Sequence, residues 1–454
     1  MHSTIRLFVP FLVAVTWLPG YGDDTSYRVI RPCPGEFDRS YWSERWSEGR
    51  SDSYSFPRFQ FGDGIVLRSQ QWLVFTIGEM LTIEDGRGAS RRILRTVAVG
   101  AFELDTGRMR QLTLPIADGQ QELTMVFSGD PLVPLGSHHC GIVLRKTTPA
   151  AGAGVPAQNG DEAREADATH YALWIWDLDA NSVEFAGPLI EGVTRLVSAI
   201  GLDLIKAGWK PDAGDPMQGE LRVTDPDSQK TACVRLVSAQ RVSLYSSQTF
   251  ATTGDTHAFA VCDAWTDEVA VFCVDPNALG GRRWSLNKSD LEAIVGPGIV
   301  GAAFVSNPYT VLKHKTLLLI FRIHDEVVST EVLVLDLADG TTGRRARLSD
   351  AHSSGLLPEI AALSADARRL AFPYYKDAAM SDVRLAVVDV DSGVVGESAN
   401  LGDSSDGLLW VWGFANSTKV ILADYSRVFI IDSGTGEWEL NVLIDLAGGS
   451  DRDQ

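Results

Sequence analysis

Long apolar runs are almost missing from this chain of 454 residues. The longest spans only residues 7–18, whereas a helix that crosses a bilayer needs about 20 residues, so a polytopic membrane protein is excluded. Cysteine is equally sparse: Cys33, Cys140, Cys233, Cys262 and Cys273 form no C-x-x-C pair and no zinc spacing, and an odd number leaves at least one thiol unpaired. Positive charge is in deficit, with 40 Lys and Arg against 59 Asp and Glu and a net charge of −19. Nucleic-acid binding rests on Lys and Arg neutralising phosphates, so this balance argues against a nucleic-acid partner and disfavours anionic membranes. No P-loop, no G-x-G-x-x-G after a strand and no G-x-S-x-G is present, so neither a nucleotide cofactor nor a hydrolase nucleophile is assigned. Amphipathic helical periodicity is scarce as well.

What the chain has is turns and short strands. Forty-two Gly accompany short runs of Val, Leu, Ile and Phe, the signature of β structure. Seven of these runs end in an acid followed within a few residues by a polar or Gly turn, at Asp105, Asp177, Asp225, Asp275, Asp336, Asp389 and Asp432. Their separations are 72, 48, 50, 61, 53 and 43 residues. The first interval holds a Pro, Ala, Gly and acidic stretch, residues 147–169, with no strand signal, and removing its 23 residues brings 72 to 49. A period of about 50 residues with four strands each predicts propeller blades. Asp bonds back onto a turn backbone and Gly accepts positive φ, so these seven Asp and Gly393 read as turn formers between the third and fourth strands.

The expected organisation is a signal peptide over 1–22, an extended lead-in over 23–58, a single all-β propeller over 59–443 and a polar tail over 444–454. Seven four-stranded blades are expected, with surface insertions at 147–169 and 206–219. The signal-peptide reading rests on Arg6, the apolar run and the small residues Gly20 and Gly22 before two acids. It makes the protein secreted; without it the chain is a cytoplasmic adaptor with an incomplete N-terminus. Within the lead-in, Tyr27, Arg28, Val29 and Ile30 read as a strand that joins a sheet elsewhere. Two sequons, at Asn287 and Asn416, fall in predicted loops where a glycan could be carried.

One stretch resembles a known family. Ala361-Ala362-Leu363-Ser364-Ala365-Asp366-Ala367-Arg368-Arg369-Leu370-Ala371-Phe372 looks like the strand-turn-strand φ-S-x-D-G-R-x-L-A-F of WD40 and TolB-type propellers, with Ala367 where the family has Gly. The run Leu173 to Asp179, LWIWDLD, resembles the WD repeat ending. The Gly-His pair of that family is missing. The resemblance implies a fold and a tendency to bind partners, and it carries no catalytic residue across.

His138, His139 and Cys140 invite a metal reading, but strand neighbours point to opposite faces, so only His138 and Cys140 can share a site; no metal and no cofactor is assigned. The reading that follows is a secreted, monomeric propeller that binds a protein or glycan partner without catalysis. The alternative is a hydrolase, lyase or isomerase acting on a small molecule at the central channel.

Overall fold

The computed structural model describes residues 33–35, 59–67, 69–84, 90–113, 123–124, 132–135, 137–147, 169–189, 199–200, 203–204, 206–212, 215–224, 230–236, 250–253, 256–263, 268–275, 281–305, 315–324, 327–349, 361–366, 368–375, 382–401, 409–434 and 438–446. The expected signal peptide, the strand at 27–30, the stretch 148–168 and Asp225 lie outside the described residues.

Nearly everything described is antiparallel strand. Sheet 1 takes Phe59–Val66, Trp72–Glu84, Ser90–Glu103 and Met109–Thr113 in order; Cys33–Gly35 joins its outer edge and Leu123–Thr124 pairs the third strand. Sheet 2 is Leu132–Pro134, His139–Thr147, Thr169–Asp177 and Ser182–Leu189. A hairpin of Ala199–Ile200 with Asp203–Leu204 precedes a three-stranded sheet of Lys206–Asp212, Asp215–Thr224 and Thr231–Leu236. Sheets 4 to 7 have four strands each. Sheet 4 runs from Phe250–Thr253 to Arg282–Asn287. Sheet 5 is Ile299–Phe304, Lys315–His324, Val327–Asp336 and Thr342–Ser349. Sheet 6 runs from Ala362–Leu363 to Val395–Glu397, and sheet 7 from Trp410–Phe414 to Glu439–Asp445.

In sheets 5 and 7 the inner strands read as unbroken apolar runs because both of their faces are buried. In Lys315–His324, Leu318 and Ile320 pack toward sheet 4 while Leu317, Leu319 and Phe321 pack toward sheet 6. In Lys419–Ala423, Val420 and Leu422 face sheet 6 and Ile421 and Ala423 face sheet 1. Each fully buried Leu or Ile is worth about 1.5–3 kcal/mol against exposure, so the seams, not the hairpins, hold the sheets together. The succession closes on itself. Trp412 of sheet 7 stacks on Phe75 of sheet 1, ring centroids 6.0 Å apart and planes 7° apart. The Phe61 N–H donates to the Tyr425 carbonyl across the same seam at 2.8 Å. Each of the two sheets at this seam is built from its own end of the chain, so side-chain packing rather than a shared strand closes it.

Three expectations fail. Residues 206–219 are not an insertion, since Lys206–Asp212 and Asp215–Thr224 pair in register from Lys206 with Thr224 to Pro211 with Gly219. Pro211, Asp212 and Pro216 gave the stretch its loop-like composition. Lys206–Asp212 is the edge strand of this described sheet, and the third strand pairs only from Gly219 onward, so Pro211 stands on a sheet edge and Pro216 outside the third strand's ladder, places where proline is tolerated. The polar tail does not begin at 444: Ile444 and Leu446 are buried in the seam with sheet 1. A helix, α1 (Lys288–Val295), follows sheet 4 where a loop was expected, and Leu291 and Val295 bury against sheet 5.

Candidate functional site

Asp177 Oδ1 accepts from the backbone N–H groups of Asp179 and Ala180, each at 2.9 Å. Asp336 Oδ1 accepts from Ala338 N–H at 2.9 Å, Asp389 Oδ1 from Ser392 N–H at 2.8 Å, and Asp432 Oδ1 from Gly434 N–H at 2.8 Å. Asp275 N–H donates to the Gly281 carbonyl at 3.1 Å. Sheet 1 differs. There Glu103, two residues before Asp105, holds the position: its Oε2 accepts from the Thr106 hydroxyl at 2.6 Å, and its carbonyl from Gly107 N–H at 2.8 Å. The same four-residue loop recurs, Gly340 closing onto Asp336 and Gly393 onto Asp389. Its last residue has positive φ at Gly107 (70°), Asn181 (51°), Gly340 (76°) and Gly393 (73°).

These bonds set the electrostatics of the turns. The Ala180 N–H, then that of Asp179, holds the Asp177 carboxyl below its ordinary value despite some burial. The Ser392 hydroxyl and N–H do the same at Asp389, and the Thr106 hydroxyl and Arg108 at Glu103. The turns also set spacing between sheets. A Cβ at Gly393 would lie 2.2 Å from the Arg345 carbonyl of sheet 5, and one at Gly340 would lie 2.9 Å from the Trp284 ring of sheet 4.

His138 and Cys140 do not meet at a metal. Cys140 is buried in the seam between sheets 1 and 2, while His138 Nδ1 stands 3.4 Å from Asp179 Oδ2 and His139 Nε2 stands 3.7 Å from Asp177 Oδ2. Among the described residues no group of three or more His, Cys, Asp or Glu converges as metal ligands would. Asn287 is the N-cap of α1, its Oδ1 accepting from Asp290 N–H at 3.0 Å while Asp290 Oδ2 accepts from Asn287 N–H at 2.9 Å. Asn416 Oδ1 accepts from the N–H groups of Thr418 and Lys419, each at 2.8 Å. Both asparagines are exposed, and each side chain organises its own turn. Cys262 and Cys273 are not cross-strand partners, for Cys262 pairs Val269 and Cys273 pairs Ala258.

Buried charge, which the strand pattern did not disclose, gathers at the seams. Glu331, 0% exposed, receives Arg322 Nη1 at 3.0 Å, and Arg322 also donates from Nε (3.1 Å) and Nη2 (2.9 Å) to the Pro297 carbonyl. Arg344 Nε stands 2.8 Å from Glu331 Oε2 and Arg347 Nε 3.5 Å from Oε1. In sheet 6 the corresponding place is held by Arg384, which donates to Asp382 at 2.9 Å and reaches Glu397 at 4.0 Å. Tyr374 stands beside them, its hydroxyl pushed up by burial and then by Glu397. At the same end of sheet 5, Val300 of the first strand and Ile323 of the second are 47% and 49% exposed. The backbones of the two strands meet there, where Ile299 pairs Arg322 and Ile323 N–H donates to the Gly298 carbonyl at 2.8 Å.

No family model and no curated protein matches this chain. Solved structures do. The β-propeller domain of the trilobed protease from Pyrococcus furiosus is 11% identical over 86% of this chain and 96% of its own, with a TM-score of 0.42. The chain is an all-β propeller. TolB from Acinetobacter baumannii is 14% identical over 82% of this chain and 79% of its own, with a TM-score of 0.31. The acylaminoacyl peptidase of Pyrococcus horikoshii is 10% identical over 90% of this chain, with a TM-score of 0.43, and the match covers 54% of that peptidase. Identities this low confine the likeness to architecture. Among the described residues no helix is long and apolar enough to cross a membrane.

Proposed function

We propose that this chain is a secreted, monomeric, seven-bladed binding propeller that recognises a protein partner without catalysis. On this reading the hairpin Ala199–Ile200 and Asp203–Leu204, which only residue 205 separates from Lys206–Asp212, supplies the missing inner strand of the third blade. The observation that carries the binding reading is the exposed pair Val300 and Ile323 at one end of sheet 5. Two β-branched side chains left in water at one end of an otherwise well-buried strand pair suit an apolar partner surface. Sugar rings stack on exposed aromatic faces instead, which favours protein over glycan.

Affinity capture with the full chain tests it. Val300→Asp and Ile323→Asp are expected to lose a bound protein that Val394→Asp retains, Val394 being 65% exposed in the turn just before the outer strand of sheet 6. Equal recovery with all three variants overturns the assignment of this patch. Export is tested by N-terminal sequencing of the protein from culture medium: a start near Asp23 supports it, and retention of Met1 removes it.

A further inference from the structure

We propose that Arg344 and Arg347 form a binding site for a tetrahedral dianion, a phosphate or sulfate group, on the outer strand of sheet 5. The site stands on other residues than the Val300 and Ile323 patch and does not depend on it. Residues three apart on a regular strand point to opposite faces. Here the register slips: Val332 pairs Ala346 but Leu333 pairs Arg344, which leaves Arg345 as the extra residue of a bulge. The bulge turns both arginines toward one carboxylate, that of Glu331.

Charge arithmetic then gives the ligand. Arg322 alone neutralises Glu331, and its other donors are spent on the Pro297 carbonyl. Arg344 and Arg347 are surplus, so the four side chains carry a net +2 in a chain of net −19. Their side chains are 43% and 44% exposed, and each approaches Glu331 through Nε. The fold does not require this excess. Arg384 stands as far before Asp389 as Glu331 before Asp336, and there one arginine meets two carboxylates, Asp382 and Glu397. Two guanidiniums drawn toward one buried carboxylate by ion pairing offer N–H donors to a second anion at low entropic cost, as a doubly charged oxyanion requires. Glu331 is a positioning residue in this scheme.

Calorimetric titration of the full chain at constant ionic strength tests the site, with inorganic phosphate and glucose 6-phosphate as probes and acetate as the monoanion control. Saturable phosphate binding is expected, weakened about tenfold in R344Q and in R347Q and unchanged in R345Q, which removes the same charge from the same strand. Tighter binding of glucose 6-phosphate assigns the site to a monoester, and equal binding assigns it to the free ion. Absence of binding by either phosphate, an equal loss in R345Q, or equal affinity for acetate overturns the proposal. Melting temperatures of the three variants within a few degrees of the parent show that the comparison is between folded proteins.

Discussion

Glu331→Gln removes one charge from the most deeply buried ion pair among the described residues. Glu331 is 0% and Arg322 6% exposed at the side chain, with Nη1 and Oε1 3.0 Å apart. Neutralising the carboxylate leaves Arg322 buried with two hydrogen bonds to a carbonyl and no counter-charge. Loss of one partner of a buried pair costs about 3–5 kcal/mol, because the remaining charge keeps its full desolvation penalty. Arg344 and Arg347 are solvent-screened, and removing either costs about 0–1 kcal/mol. The Arg322 pair therefore dominates. Gln keeps an acceptor oxygen in place, so the expected loss is at the lower end, about 3 kcal/mol. The double variant Glu331→Leu with Arg322→Met leaves no buried charge and should lie within about 1–2 kcal/mol of the parent. Urea unfolding followed by tryptophan fluorescence measures both. A loss below about 1 kcal/mol for Glu331→Gln, or a double variant as unstable as the two single changes added, would refute the reasoning.

Gly393→Ala and Gly107→Ala separate backbone strain from collision. Both residues have positive φ, 73° and 70°, but only at Gly393 does a Cβ meet a carbonyl, while at Gly107 nothing lies within 4 Å. Gly107→Ala should cost about 1 kcal/mol and Gly393→Ala clearly more; equal losses by urea midpoint would show that the seam yields. Asn287→Ala breaks the capping box of α1 and should cost about 1 kcal/mol, read as a lower midpoint that Asn287→Asp restores. Trp412→Ala empties the seam between sheets 7 and 1 and should cost about 3–5 kcal/mol; a smaller loss would mean that this seam does not close the ring. Asp389→Asn should show a pH signature. The folded carboxyl lies below its unfolded value, so its stabilisation is complete above the ordinary carboxylate range and is lost as pH falls through the folded value. The melting-temperature gap between parent and variant should then close below about pH 4, and a gap constant down to pH 2 would contradict the assignment.

Much of the candidate site was illegible in sequence for identifiable reasons. Nothing in the sequence singles out Arg344, Arg345 and Arg347, because the slip between Val332 and Leu333 that brings two of them to one carboxylate is a property of pairing. Glu331 sits in the run Val327–Asp336 with apolar residues on both sides, and nothing local says that a buried Arg322 awaits it. Helix α1 was within reach: Asn287 and Asp290 have capping-box spacing, Leu291, Ile294 and Val295 follow helical period, and Gly296 with Pro297 ends it. In sheet 1 the sequence pattern marks Asp105 because Asp is the usual turn acid, whereas Glu103, with one more methylene, reaches the Thr106 hydroxyl.

The sequence alone determined the repeated strand order, the apolar runs and most of the acidic turns, since all of these follow from local alternation and from side chains that bond to their own backbone. Only the tertiary structure decided which strand edges carry Pro211 and Pro216, how Ile444 and Leu446 complete the last seam, and where surplus positive charge collects. Those depend on register and on the neighbouring sheet, and contacts between residues far apart along the chain leave no periodic trace in it.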